Sequence, residues 1–287
     1  MSRKRMSIWS RIGNAIRRGP HLVILGSLLF LSFVPMLMGL LISSKTHYEV
    51  YNHFFSLPRA VQWDNYTRAT LDMLKPLGNT LFIAAVSVLG GLALASFAAY
   101  AFARLHMYGK NALFFILLCL MMMPGVLVQV PNFVLVRNLG LGNTFSGVML
   151  FYIGGGQAFS IFLLRSFFDS QPEELFESAR LDGATEMQTM SQIALPLARP
   201  ILITVGIMNL LGYYSDLIWP LLVLTSKEKA TLMMVLQKYA PPSMGQTLPN
   251  VAVQTAGYML ACVPLIILFT FGMKYYIQGL TSGAIKG

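Results

Sequence analysis

The chain is poor in charge, and poorest in acid. Of its 287 residues only 11% are Asp, Glu, Lys or Arg, and only 11 are Asp or Glu. A soluble domain carries about 25% charged residues, so a large soluble protein is excluded by this scarcity together with a mean hydropathy of +0.62. Cysteine is nearly absent. Cys119 and Cys262 both lie inside apolar runs, where they read as small buried hydrophobes and not as a disulfide or a metal pair. The four histidines, His21, His47, His53 and His106, are scattered without a supporting carboxylate or thiol pattern. No metal site is expected. No Gly-x-x-x-x-Gly-Lys-Ser/Thr occurs. Gly109-Lys110 has Arg104 where the first Gly is needed, so no phosphate-cradling loop is expected. With no nucleophile–base pair either, the sequence points to no catalytic residue and no cofactor. Short alternating segments of a transmembrane β-barrel are missing too.

Long apolar runs are what the chain has in their place. Leu22 to Ile42 holds 21 residues without a charge. At about 1.5 Å per residue this is roughly 32 Å of helix, enough for a hydrocarbon core of about 30 Å. Six spans are expected, at about Leu22–Ile42, Asn79–Phe102, Ala112–Val134, Ser146–Phe167, Ile201–Leu224 and Val253–Tyr276. Each is expected to be a continuous helix, because backbone facing lipid must satisfy its own hydrogen bonds. The predicted fold class is all-α, a polytopic membrane helix bundle. Residues 1–21 form a basic arm and residues 22–287 a single transmembrane domain.

The net charge of +10 reads as topology and not as a nucleic-acid footprint, since the cations cluster at the ends of spans. With the N-terminus inside, 13 Lys and Arg face the cytoplasm and 8 face out, which favours both termini inside. The first span reads as uncleaved, being too long for a secretory signal and lacking a cleavage site. Ile8, Trp9, Ile12 and Ile16 in the arm fit either a short amphipathic helix on the inner lipid face or a solvated positive tail. Pro35, Pro124, Pro131, Pro220 and Pro264, with Gly90-Gly91 and Gly154-Gly155-Gly156, fall in or beside spans. They fit close helix packing, and they fit a bundle that bends.

Five of the eleven carboxylates fall between Glu173 and Glu186, in the inner loop Phe168–Pro200. Ser170 or Gln171 is placed to cap a helix starting at Pro172, with Glu173 and Glu174 complementing its dipole. Leu175 and Ala179 share a face. Asp182-Gly183 signals a turn, and a second helix is expected from about Ala184 to Ala194, ended by Leu195-Pro196. Such a helix pair suits a groove on another protein, and it equally suits a plain surface hairpin. Asp216 is the one carboxylate inside a span. An intramembrane charge costs about 2.5–3.5 kcal/mol on insertion scales, so it usually faces water or a partner. Tyr213, Tyr214, Ser215 and Trp219 surround it, a set that suits sugar rings and also suits an aromatic interface belt.

The inner loop resembles the cytoplasmic EAA loop of permease subunits of binding-protein-dependent ABC importers. Glu177, Ala179, Asp182, Gly183, Ala184, Ile193, Leu195 and Pro196 carry the resemblance, with Pro200 at a further family proline. Ser178 and Met190 depart from the pattern, at positions where Ala and Phe are common. Further stretches agree in order: Asn79-Thr80-Leu81, Tyr100-Ala-Phe-Ala-Arg104-Leu with Gly109-Lys110, Leu139-Gly-Leu-Gly-Asn143-Thr144, and Ser215-Asp216-Leu-Ile-Trp219-Pro220. The tail from Gln278 to Gly287 is similar to that of the second permease of maltose-type carbohydrate importers.

The resemblance implies a bacterial or archaeal cytoplasmic-membrane subunit for uptake of sugars or oligosaccharides. It implies a second permease, a dimer of ATP-binding subunits and an extracytoplasmic solute-binding protein as partners, beside membrane lipid and with no nucleic acid. Residues 173–196 are then the ATPase-coupling segment. Tyr214, Ser215 and Asp216 are candidates for the translocation pathway. The loop Ser43–Gly78, with Asp64-Asn65-Tyr66, or the loop Ser226–Asn250 is implied as the contact with the solute-binding protein. Other classes remain open on the residues alone: an ion-coupled transporter using Asp216, a membrane receptor subunit, or an importer of glycerol phosphate or a polyol.

Overall fold

The structure is a computed structural model that describes residues 8–238 and 250–284, with side chains from His21 onward except Leu22, Lys238 and those beyond Lys274. The arm residues 1–7, residues 239–249 of the outer loop and the last three residues of the tail lie outside the described set. Every regular element described is helical. In order they are α1 (Ile8–Ser43), α2 (His47–Asn52), α3 (Trp63–Arg104), α4 (Lys110–Met121), α5 (Gly125–Asn138), α6 (Phe145–Gly154) and α7 (Gln157–Asp169). There follow α8 (Glu173–Leu181), α9 (Glu186–Thr189), a π-helical turn Met190–Ala194, and α10 (Leu195–Leu197). The chain continues through α11 (Arg199–Ser215), α12 (Ile218–Val223), a 3-10 turn Lys227–Lys229, α13 (Leu232–Lys238) and α14 (Val251–Ala284).

Three helical stretches, Val23–Ser43, Trp63–Arg104 and Val251–Lys274, are long and apolar enough to cross a membrane. Among the described residues, three bent pairs bring the number to as many as six where each pair counts as one span. The expected continuity of the spans is therefore wrong for half of them. The third span turns through 100° between α4 and α5, and the fourth through 43° between α6 and α7. Pro124 has no N–H to continue the α4 ladder, and it stands as the N-cap of α5. Gly156 takes φ +76° at the start of α7, a left-handed conformation open to glycine at no steric cost. The fifth span is α11, set off by 77° from the inner segment Glu186–Leu197. It stops at Ser215, and two non-helical residues separate it from α12. Pro35, Pro131 and Pro264 stay inside helices. Gly90-Gly91 does not break α3. A Cβ at Gly90 would lie 2.8 Å from Ile153, and one at Gly91 would lie 2.8 Å from Gln157, so these glycines serve close approach.

The described residues form two compact units, one drawn from Met1–Thr70 and Tyr239–Leu260, the other from Leu71–Lys238 and Ala261–Gly287. In the first unit, the segment expected as an outer loop from Ser43 to Gly78 is largely helical. Thr46 and Glu49 form a reciprocal capping box on α2. The buried Lys45 ammonium donates to the His53 and Phe54 carbonyls at 2.8 and 2.6 Å. Asn65 donates to the Ser43 and Lys45 carbonyls at 2.9 and 2.8 Å. These bonds close the turn between α1 and α3. Charged residues in α3, from Asp64 to Lys75, hide its helical period in the sequence.

Among the described residues, the second unit includes two apolar cores. One gathers Ala95, Ala99, Tyr100, Leu164, Phe168, Phe176, Met190 and Ala194. It joins the inner loop to the inner ends of α3 and α7. The other gathers Val136, Val148, Tyr152, Trp219 and Val223 around the start of α12.

Candidate docking turn and the polar cluster at Asp216

Residues 173–197 form a helical hairpin, as expected, with its details altered. Pro172 is the N-cap of α8, and no side chain caps this end. Ser170 instead donates to the Phe167 carbonyl at 2.7 Å, and Gln171 to the Ala194 carbonyl at 3.1 Å. Ser170 thus bonds back to the last turn of α7, which ends at Asp169, and the buried Gln171 side chain is taken up by the second arm of the hairpin. Glu173 and Glu174 lie in the first turn of α8, where negative charge meets the positive end of the dipole.

The helix ends at Asp182. Gly183 has φ +79°. The Ala184 N–H bonds back to the Ala179 carbonyl at 2.9 Å and the Gly183 N–H to the Arg180 carbonyl at 3.1 Å. This is the paired 6→1 and 5→2 pattern of a Schellman stop, which requires a left-handed residue. The second helix begins at Glu186, two residues later than expected. Thr185 and Gln188 cap it reciprocally. Leu195-Pro196 does not end it. The ladder widens to π geometry over Met190–Ala194, and α10 runs on to Leu197.

The hairpin has a clear inside and outside. Phe176, Ala179, Met190 and Ala194 are buried. Ala179 therefore faces inward, and Leu175 remains exposed on the same helix. Met190 fills the core position where Phe is common in the resembling family. Glu177, Asp182 and Gly183 are exposed, Ala184, Ile193, Leu195 and Pro196 are half-buried, and Leu181 and Met187 are 88% and 61% exposed beside the bend. Glu177 makes no ion pair among the described residues.

Sequence reasoning missed the groups that hold this hairpin. Arg104, the last residue of α3, is 8% exposed. Its guanidinium pairs with the Glu173 carboxylate, donates to the Phe168 and Gln171 carbonyls at 2.6 and 2.7 Å, and lies 3.9 Å over the Phe176 ring. The planar fork of Arg serves several acceptors at once, which a Lys point charge does not. Tyr100, one turn earlier, donates its hydroxyl to Glu186 at 2.8 Å. Arg180 bridges Glu186 and Glu173 at 3.3 and 3.4 Å. Burial lowers the Arg180 pKa, but the Glu186 hydrogen bond and the two carboxylate charges outweigh it, so the pKa is raised. The available signal was a cation ending an apolar helix. Its partners lie 64 to 69 residues away, beyond any local pattern.

Asp216 sits at the break between α11 and α12. One carboxylate oxygen accepts from the Ile218 and Trp219 N–H groups at 2.9 and 3.4 Å. The other accepts from the Tyr152 hydroxyl at 2.8 Å. Tyr213 stacks on Tyr152 with ring centres 4.3 Å apart and donates to the Tyr152 carbonyl. The three residues named together from the sequence diverge here. Tyr214 is buried with its hydroxyl on the Ala261 carbonyl, Ser215 is exposed and bonds back to the Leu211 carbonyl, and Asp216 is half-buried. No cluster of three or more His, Cys, Asp or Glu able to hold a metal occurs among the described residues.

Residues 7–282 match the family described as the inner membrane component of binding-protein-dependent transport systems. The arabinooligosaccharide transport permease of Halalkalibacterium halodurans is 32% identical, over 90% of this chain and 92% of that protein. The maltodextrin transport permease of Bacillus subtilis is 29% identical, over 90% and 95%. A chain of a bacterial ABC transporter that imports alginate shares the fold, with a TM-score of 0.80 at 23% identity, covering 96% of this chain and all of that one. The helical fold is thus one shared with a solved transporter chain, and the chain belongs to the family of inner-membrane components of binding-protein-dependent transport systems.

Proposed function

We propose that this chain is the membrane-spanning permease subunit of an ATP-driven importer of sugars or oligosaccharides. It forms half of the translocation pathway with a second permease and receives solute from an extracytoplasmic binding protein. The observation that carries this reading is the hairpin at residues 173–197. Its base is fastened by a buried arginine, while Glu177, Leu181, Gly183 and Met187 are presented outward at the bend. An exposed, charged and apolar knob on a rigid base suits a cleft on a partner protein. ATP is bound and hydrolysed by that partner, and Glu177 faces a cation there. The sugar class is carried over from the arabinooligosaccharide and maltodextrin permeases, which match over nearly their whole length. Unwound backbone at Gly155–Gly156 and at Asp216–Leu217 supports a pathway face nearby, because such backbone is tolerated at membrane depth only against protein or a wet cavity. Asp216 serves that face by shaping the break, and its two oxygens are already engaged, which argues against a free ion site.

The test is a reconstituted complex in vesicles, with a panel of labelled oligosaccharides as probes. Glu177→Ala and Gly183→Val are expected to leave the subunit in the membrane while uptake falls at least about tenfold, a loss of about 1.4 kcal/mol in coupling. Full uptake with full solute-stimulated ATP hydrolysis in both variants would sink the docking assignment. Uptake sustained by an ion gradient without ATP would sink the ATP-driven class.

A further inference from the structure

The same helix that fastens the inner hairpin also fastens a second turn farther along its length. At the inner end, Tyr100 and Arg104 are four residues apart and so share one face of α3. Arg104 holds Glu173 on α8, and Tyr100 holds Glu186 on α9. One helix face therefore grips both arms of the hairpin. About 25 residues back along α3, Asn79 donates to the Glu228 and Ala230 carbonyls, each at 3.0 Å. Thr80 accepts from the Leu232 N–H at 2.8 Å. The outer turn so held is stiff in itself. Asn143, with φ +55°, accepts from the Thr225 and Ser226 N–H groups at 3.1 Å and from the Ser226 hydroxyl at 3.0 Å. Lys229 donates to the Asn143 carbonyl at 2.6 Å.

Between these two grips α3 is unbroken. From Asn79 to Arg104 it is about 38 Å long at about 1.5 Å per residue. An intact hydrogen-bond ladder moves as a rod, whereas a broken helix absorbs displacement at its break. The α4/α5 and α6/α7 pairs have such breaks. The glycine pair between the two grips, Gly90-Gly91, packs closely against Ile153 and Gln157.

We propose that α3 is the strut through which the inner hairpin and the outer turn Thr225–Leu232 report to each other. Tyr100 and Arg104 are its inner positioning residues, and Asn79 and Thr80 its outer ones. This rests on the reading that the hairpin seats on an ATPase subunit, and it adds the route by which a nucleotide bound there is sensed on the outer face.

The experiment uses the reconstituted complex with Cys119 and Cys262 replaced by Ala and a nitroxide label at Lys227→Cys, an exposed position on the outer turn. ATP with vanadate is the probe, so no solute is needed. The label's spectrum is expected to change on adding nucleotide, and Tyr100→Phe is expected to cut that change at least about twofold. Tyr100 lies about 32 Å along the helix from Asn79, so such a loss is not a local effect on the label. Thr80→Val is expected to cut it likewise, while Thr80→Ser, which keeps the acceptor oxygen, retains it. A nucleotide-dependent change that persists in both Tyr100→Phe and Thr80→Val overturns the strut, as does a label that never responds. Glu177→Ala separates the two readings. If it abolishes the change while the strut variants do not, the strut alone fails. If it leaves nucleotide hydrolysis and the change intact, the seating of the hairpin fails.

Discussion

Asp216 shapes the end of α11 with hydrogen bonds that do not require its charge. An Asn side chain keeps an acceptor for the Ile218 N–H and a polar atom for the Tyr152 hydroxyl. Asp216→Asn is therefore expected to fold with wild-type stability. Asp216→Ala loses a cap, worth about 0.5–2 kcal/mol, and strands a hydroxyl, worth about 1–3 kcal/mol. A drop of about 2 kcal/mol in Ala and none in Asn, read from thermal unfolding in detergent, is the expected result. Equal losses in both would show that the charge itself holds the break. At this scale the sequence was legible where the backbone makes a special demand. Asp182-Gly183 announces its turn because only glycine enters the left-handed region freely. Arg104 stood in a family-like stretch but did not announce its burial, because an arginine at a helix end looks the same whether it is solvated or buried under a distant loop.

The helices carry a second kind of demand, which concerns space. Gly147 lies inside α6, where a Cβ would stand 2.4 Å from the Leu141 carbonyl and 2.9 Å from Val136. Backbone cannot step aside as a side chain can, so Gly147→Ala is expected to cost about 1–3 kcal/mol, the usual range for overpacking. Gly78→Ala, with open space around it in α3, is expected to be neutral or to stabilise by up to about 1 kcal/mol. Comparing melting temperatures of the two variants checks the contrast, and equal shifts would refute it. Element existence was readable from apolar run length, and element continuity was not. Pro124 breaks a span while Pro131 and Pro264 do not, although all three remove the same hydrogen bond. Pro131 and Pro264 lie within helices that run on through them, whereas Pro124 stands at the start of one, and no local window separates the two cases. The Ser43–Gly78 segment misled for the opposite reason. Its Thr46-x-x-Glu49 capping box was there to read, but scattered charges in α3 suggested a loop.

Taken as a whole, the chain leaves much apolar surface uncovered by its own residues. The apolar window of α1 has only 6% of its residues buried within the chain, and that of α14 only 22%. Lipid covers such surface readily, but unwound backbone needs protein or water, and the hairpin is proposed to need a partner protein. The subunit expressed without partner subunits is therefore expected to be degraded several-fold faster than in the assembled complex. A pulse–chase comparison measures this, and equal half-lives would count against an obligate partnership. The presence of apolar helix for up to six spans, and the turn at Asp182-Gly183 in the acidic segment, were set by the sequence alone. These follow from hydrophobic run length and from the backbone freedom of glycine, both local quantities. Which spans break, what pins the hairpin and what Asp216 does were decided only by the tertiary structure. Each depends on hydrogen bonds and close contacts between residues tens of positions apart, and their partners are chosen by packing and not by pattern.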